Sequence, residues 1–166
     1  GGYGGEGVGF TSGARGGVGG HAGEVRVEGS FDIRTVGVGA HAIWGKSIGG
    51  SGGTGGSAGW IGTGSGGGGG GASDGGRVDI ANGGNVLTQG AGAHGLYGQS
   101  VGGFGGDGGT ASGIFVAWGG HGASAGSGGE VFLRNAVTGS ITTLGDYSNA
   151  LFGQSIGGGE IGRAHV

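Results

Sequence analysis

The chain has no proline, no cysteine and no methionine. Glycine supplies 59 of its 166 residues, a fraction that raises collagen. A collagen helix needs a strict Gly-X-Y period and abundant proline, so it is excluded. Without cysteine there are no disulfides and no thiolate metal sites. Charge is scarce as well: seven Lys and Arg stand against ten Asp and Glu, a net of −3. No basic patch exists to neutralise phosphates, so nucleic acid is not an expected partner. The acidic residues are scattered and form no charged tail. No apolar run approaches the ~18 residues of a membrane-spanning helix, so no transmembrane segment is expected. There is no initiator Met and no signal-peptide pattern. The chain starts inside a glycine run and reads as a mature product or an excised piece.

Disorder is the default for so much glycine. Three Trp, three Tyr, six Phe and apolar residues that recur in register argue against it. One ten-residue stretch occurs three times, as HAIWGKSIGG from His41, HGLYGQSVGG from His94 and NALFGQSIGG from Asn149, with starts 53 and 55 residues apart. Upstream of each lies a second recurring stretch: GEVRVEG at Gly23, GRVDIAN at Gly76 and GEVFLRN at Gly129. Its apolar pairs, Val25/Val27, Val78/Ile80 and Val131/Leu133, alternate with period 2, the mark of a half-buried strand. Between the two sits a shorter strand carrying Ile33 and Thr35, Val86 and Thr88, or Ile141 and Thr143. The third copy arrives two residues late, and the extra residues fall in the turn-like stretch AVTGS. No apolar residues recur at three and four, and interior glycine costs a helix ~1 kcal/mol each.

One copy cannot cover its own apolar face, but stacked copies can. The expected fold is all-β, a parallel β-helix or solenoid of about three 53–55-residue repeats. It forms one repeat domain over 1–166, with blocks of roughly 1–51, 52–104 and 105–166. Equivalent residues would then form ladders with strands ~4.8 Å apart. The glycine halves carry a period of three: 49–57 read GGS GGT GGS, and 102–110 read GGF GGD GGT. That predicts polyglycine II-like segments, three residues per turn, packed alongside the strands. The run of six glycines at 66–71 is expected to pack in the same way. Ordering glycine is costly, so hydrogen bonds between repeats or chains must offset it. The opening GGYGGEGVGF is in phase with Gly52–Trp60, and SIGGGE closes shortly before that phase. Copies placed head to tail would nearly continue the rhythm, so end-to-end stacking or a longer natural chain is expected.

The stretches Gly98-Gln99-Ser100-Val101-Gly102-Gly103 and Gly153-Gln154-Ser155-Ile156-Gly157-Gly158 carry a resemblance. With their upstream strands and downstream glycine runs, they resemble the glycine-rich repeats of bacterial autotransporter passengers and related large surface proteins. The first copy departs with Lys46 in place of Gln, and all three copies have Gly where the family pattern has Ala. The likeness covers nearly the whole chain. It implies a parallel β-helix on the bacterial surface. A weaker likeness, to mycobacterial glycine-rich repeat proteins, extends to GGxGG and not to the strand blocks.

Ser47, Ser100 and Ser155 recur, as do His41 and His94, but Asn149 replaces the third His and no acid recurs beside them. Catalysis needs one unique constellation. A residue repeated every period reads instead as a ladder rung, its hydroxyl bonding to its neighbours, and Gln99 and Gln154 read as stacked amides. GGFGGDGGT at Gly102–Thr110 partly matches a calcium-binding nonapeptide through Asp107. Its apolar position is Gly109, and the preceding repeat has Thr54 for the Asp, so Asp107 is only a weak calcium candidate. His21, His121 and His165 lack metal-ligand spacing, and no P-loop Lys follows the glycines, so no metal or cofactor is expected. Trp60, Phe104 and Phe115 are expected to plug the gap between strands and glycine layer, with Trp118 exposed. Glu24 and Glu130 beside Arg77 read as charge alternation on a solvent face. Asp32 and Asp79 occupy different repeat positions, which speaks against a carboxylate enzyme. The expected function is a non-enzymatic structural protein, extracellular or on the bacterial surface, serving adhesion, spacing or self-assembly. Its expected partners are further copies of itself, with a host surface or glycan next. The alternative is a flat face with a row of Thr that binds ice or a glycan.

Overall fold

A computed structural model describes residues 1–8, 12–60 and 62–159. His165 and the side chain of Trp60 lie outside the described residues. The strands in chain order are β1 (Gly7–Val8), β2 (Val25–Gly29), β3 (Ile33–Thr35), β4 (Ile43–Ile48), β5 (Ala58–Trp60), β6 (Thr63–Ser65) and β7 (Val78–Asn82). They continue as β8 (Val86–Thr88), β9 (Leu96–Val101), β10 (Ala111–Gly113), β11 (Val116–Trp118), β12 (Val131–Asn135), β13 (Ile141–Thr143) and β14 (Leu151–Ile156). The fold is all-β, with no helix among the described residues, and every strand pair is parallel. Strands do not pair with their sequence neighbours. They form the sheets β2-β7-β12, β3-β8-β13 and β4-β9-β14, an arrangement consistent with a β-solenoid. No described helix is long and apolar enough to cross a membrane.

Register follows from side-chain alternation, because a slip of one residue would turn the apolar set outward. Val25 pairs with Val78 and Val78 with Val131; Val27, Ile80 and Leu133 form the next inward column. Ile33, Val86 and Ile141 line up in the second sheet, as do Thr35, Thr88 and Thr143. The core is Val78, Ile80 and Leu96, fully buried, with Val25, Val27, Ile43, Val131, Leu133 and Ile141 packed on it. Full burial of such a side chain stabilises by ~1.5–3 kcal/mol, which applies to Val78, Ile80 and Leu96, and the partly buried ones contribute less. The column Gly45–Gly98–Gly153 faces this core. A methyl group on Gly98 would sit 2.8 Å from Val131 Cγ1 and 2.9 Å from Leu133 Cδ2. At Gly153 the same methyl would make ordinary contacts, 3.4 Å to Val131 Cγ1 and 3.6 Å to Leu133 Cδ1, so the crowding is confined to Gly45 and Gly98.

The turns between the second and third strands use the left-handed conformation at Gly39 (φ 65°) and Gly92 (φ 66°). The third turn places Tyr147 there, at φ 58°. A side chain in that region costs roughly 1–2 kcal/mol.

From β4 the chain runs outward through 49–57, crosses β5 and β6, and returns through 66–75. The outgoing segment has a three-residue rule. Gly49, Gly52 and Gly55 donate to Val101 O, Phe104 O and Asp107 O of the next outgoing segment, at 2.8–2.9 Å. Gly50, Gly53 and Gly56 donate across to Gly20 O, Gly17 O and Ala14 O of a returning segment, at 2.7–2.9 Å. Ser51, Thr54 and Ser57 fill the third, outward position. The returning run obeys the same rule: Gly66 and Gly69 donate to Trp118 O and His121 O, Gly67 and Gly70 to Gly56 O and Gly53 O. Other backbone carbonyls, such as Gly70 O at Gly52, Gly2 O at Gly53 and Gly67 O at Gly55, sit where a Cβ would go, so the inner positions admit no side chain without moving backbone.

Candidate functional site

The most concentrated polar chemistry lies at the seam between the β4-β9-β14 sheet and the strand entering β2, β7 or β12. Alternation turns Ser47 and Ser100 inward, because Trp44, Lys46 and Ile48 on the same strand face out. Ser47 donates its hydroxyl to Gly23 O at 2.6 Å and accepts from Gly76 N–H at 3.1 Å. Ser100 repeats this one step on, donating to Gly76 O at 2.8 Å and accepting from Gly129 N–H at 2.8 Å. Each serine thus clips the glycine of its own turn of chain to the glycine of the next. Gly23, Ser47, Gly76, Ser100 and Gly129 form one hydrogen-bonded relay. Ser47, Ser100 and Ser155 stand as successive rungs, and the neighbours that the Ser47 and Ser100 hydroxyls bond to are glycine backbone groups rather than one another. With Ser100 0% exposed and its proton committed to a carbonyl, it is poorly placed as a nucleophile.

His41 and His94 stack with ring centroids 5.0 Å apart and planes 4° apart. His94 N–H donates to His41 Nδ1 at 3.1 Å, and Asn149 N–H donates to His94 Nδ1 at 3.0 Å. Each Nδ1 is therefore an acceptor, which places the neutral ring's proton on Nε2. Burial, and then the neighbouring His41, hold the His94 pKa below its usual value. Trp44 stacks on Tyr97 beside this column, 5.9 Å between centroids, and Phe152 stacks on His94 at 4.6 Å. Gln99 Nε2 donates to Gln154 Oε1 at 2.7 Å.

On the outer face of the first sheet, Asp79 pairs with Arg77 (3.1 Å) and Arg134 (2.8 Å), and Arg77 also reaches Glu130 (3.7 Å). Burial works to raise the Asp79 pKa, but the two guanidinium groups outweigh it and hold the carboxyl below its usual range. Asp32 lies elsewhere, capping Asn85 N–H at 2.6 Å.

The threonine column faces inward. Thr35 and Thr88 donate to Ala40 O (2.6 Å) and Ala93 O (2.7 Å), and Thr88 is 0% exposed. Its hydroxyls fasten the turns that follow. The expected aromatic plugs are also corrected: Phe104 is 54% and Phe115 78% exposed. Phe104 takes the outward third position of its triplet, and Phe115 lies beyond the closely bonded glycines, which leave no room between layers for a ring. Trp118 is exposed. Asp107 stands on the outward column of the glycine segments beside Thr54. Among the described residues no group of three or more His, Cys, Asp or Glu is placed to hold a metal ion. The serine clips escaped the sequence reading because the partner is backbone 24 residues earlier; the glycine opening each strand block was their one signal.

No protein-family model, curated protein or solved structure matches the chain.

Proposed function

We propose that the chain is a non-enzymatic structural protein of the bacterial surface or extracellular space. In this reading, three repeats of 53–55 residues form a β-solenoid scaffold, and its glycine segments are polyglycine II helices bonded into a two-layer arm. The observation that carries it is the relay from Gly23 to Gly129, which ties successive turns through buried serines. Recurrence of the same side chains in the same structural clip supports a mechanical role over a reactive one.

Dimensions bear on which mechanical role fits. One 53-residue turn advances the stack by only ~4.8 Å. The nine-residue outgoing segment at ~3.1 Å per residue reaches ~28 Å sideways. Three turns make a broad, short slab, so spacing alone would be a wasteful use of residues. Building a wide-faced stack for adhesion or self-assembly fits better. Single-molecule pulling on a tandem array of the chain tests this. A scaffold of clipped turns should yield in discrete steps, each releasing ~53 residues, or ~175–190 Å of contour. Smooth extension without steps would refute it.

A further inference from the structure

We infer that the exposed edge of β12, β13 and β14 is a docking surface for the β2, β3 and β4 edge of a second copy of this chain, added in parallel and in register. The inference rests on the scaffold reading above and names its partner. Between β12 and β14 the surface opens into a hollow of about 390 Å³, lined by Gly129, Glu130, Val131, Gly153, Gln154 and Ser155. The equivalent space over Gly45 and Ser47 is filled inside the chain. Gly76 N–H bonds Ser47 there, and the Val78 and Ile80 side chains lie 3.3 and 3.0 Å from where a Gly45 Cβ would stand. The hollow is therefore shaped for a strand of the form Gly-x-Val-x-Val/Ile. The opposite edge presents that sequence as Gly23-Glu24-Val25-Arg26-Val27. Among the described residues Ser155 receives no backbone N–H of the kind that Ser47 and Ser100 receive, and Gly23 N–H is the group that would supply it.

The outer columns fit the same occupant. In register, Arg134 would meet Glu28 of the second copy, and Phe132 would meet its Arg26, as Phe132 meets Arg77 within the chain with the guanidinium 4.4 Å from the ring centroid. Gln154 would meet Lys46, continuing the column of Gln99 and Lys46. In another column Glu130 would face Glu24; both are exposed, where water screens the repulsion. Unpaired strand edges are templates for such addition, and a head-to-tail contact that does not close gives a filament.

The test is self-association of the chain by sedimentation velocity and negative-stain microscopy over a range of concentrations. The expected result is concentration-dependent oligomers that grow in one direction. Arg134→Glu alone and Glu28→Arg alone should each weaken association at least tenfold by setting like charges together. Mixing the two variants should restore assembly with the two chains alternating one to one. In the mixture, the carboxylate introduced at position 134 of one copy faces the guanidinium introduced at position 28 of the other. Gln154→Lys, which leaves the Asp79 pairs intact, should also give monomers with an unchanged circular-dichroism spectrum, and this guards against misfolding of the other two. Folded wild-type monomers at all concentrations would overturn the inference, as would association indifferent to these changes. Neither outcome would alter the stepwise yielding of single molecules, so the scaffold reading can fail or stand separately.

Discussion

Replacing Ser100 with Ala removes a single oxygen from the middle of the clip. The change leaves almost no cavity, so packing loss is small. It does strand two backbone groups. Gly76 O loses its donor at 2.8 Å, and Gly129 N–H loses its acceptor at 2.8 Å. Each unsatisfied buried group costs roughly 1–3 kcal/mol, and partial access to water at the seam favours the lower half of that range. The expected destabilisation is therefore about 2–4 kcal/mol. For a chain of this length that corresponds to a fall in Tm of about 6–12 °C. Ser47→Ala should cost less, because its carbonyl partner Gly23 is already exposed. Ser155→Ala should cost least in the monomer. Urea denaturation followed by circular dichroism would rank the three. Ser100→Ala within about 0.5 kcal/mol of wild type, or Ser155→Ala as damaging as Ser100→Ala, would refute the relay as a source of stability.

Other outcomes follow from the same geometry. Gly106→Ala should open the arm locally, because its Cβ would strike the backbone carbonyl of Gly53, whereas Asp107→Ala at the outward position should be neutral; hydrogen exchange of Gly52–Gly56 amides would show the contrast. Tyr147→Gly should stabilise by up to about 1 kcal/mol by relieving a side chain at φ 58°, measured by Cm; a loss of stability would show that Tyr147 does something its exposed position does not reveal. Acid should weaken the fold in two windows. The folded His94 pKa is lowered, so its contribution is complete above the unfolded value of about 6.5 and declines as pH falls below it. Protonation at Nδ1 also breaks the bond from Asn149 N–H. Asp79 is likewise lowered, so its contribution declines only as pH falls below about 4. In a Tm–pH profile, His94→Gln should remove the upper step and Asp79→Asn the lower.

The sequence alone determined which residues lie in one column. Period-2 alternation in Val25-Arg26-Val27 and the 53-residue recurrence leave one parallel register that turns these apolar partners inward together, so Val25, Val78 and Val131 meet. The period of three in GGS GGT GGS likewise marked which positions are bare and which carry side chains. Only the tertiary structure decided how the columns face one another. The serine hydroxyls turn to glycine backbone across the seam, the threonines turn inward to hold corners, and Phe104 and Phe115 stay in water. Periodicity along a chain specifies a face and a neighbour one repeat away. What stands opposite that face depends on where the chain bends, and the contacts that fix the bends join residues of unrelated sequence phase.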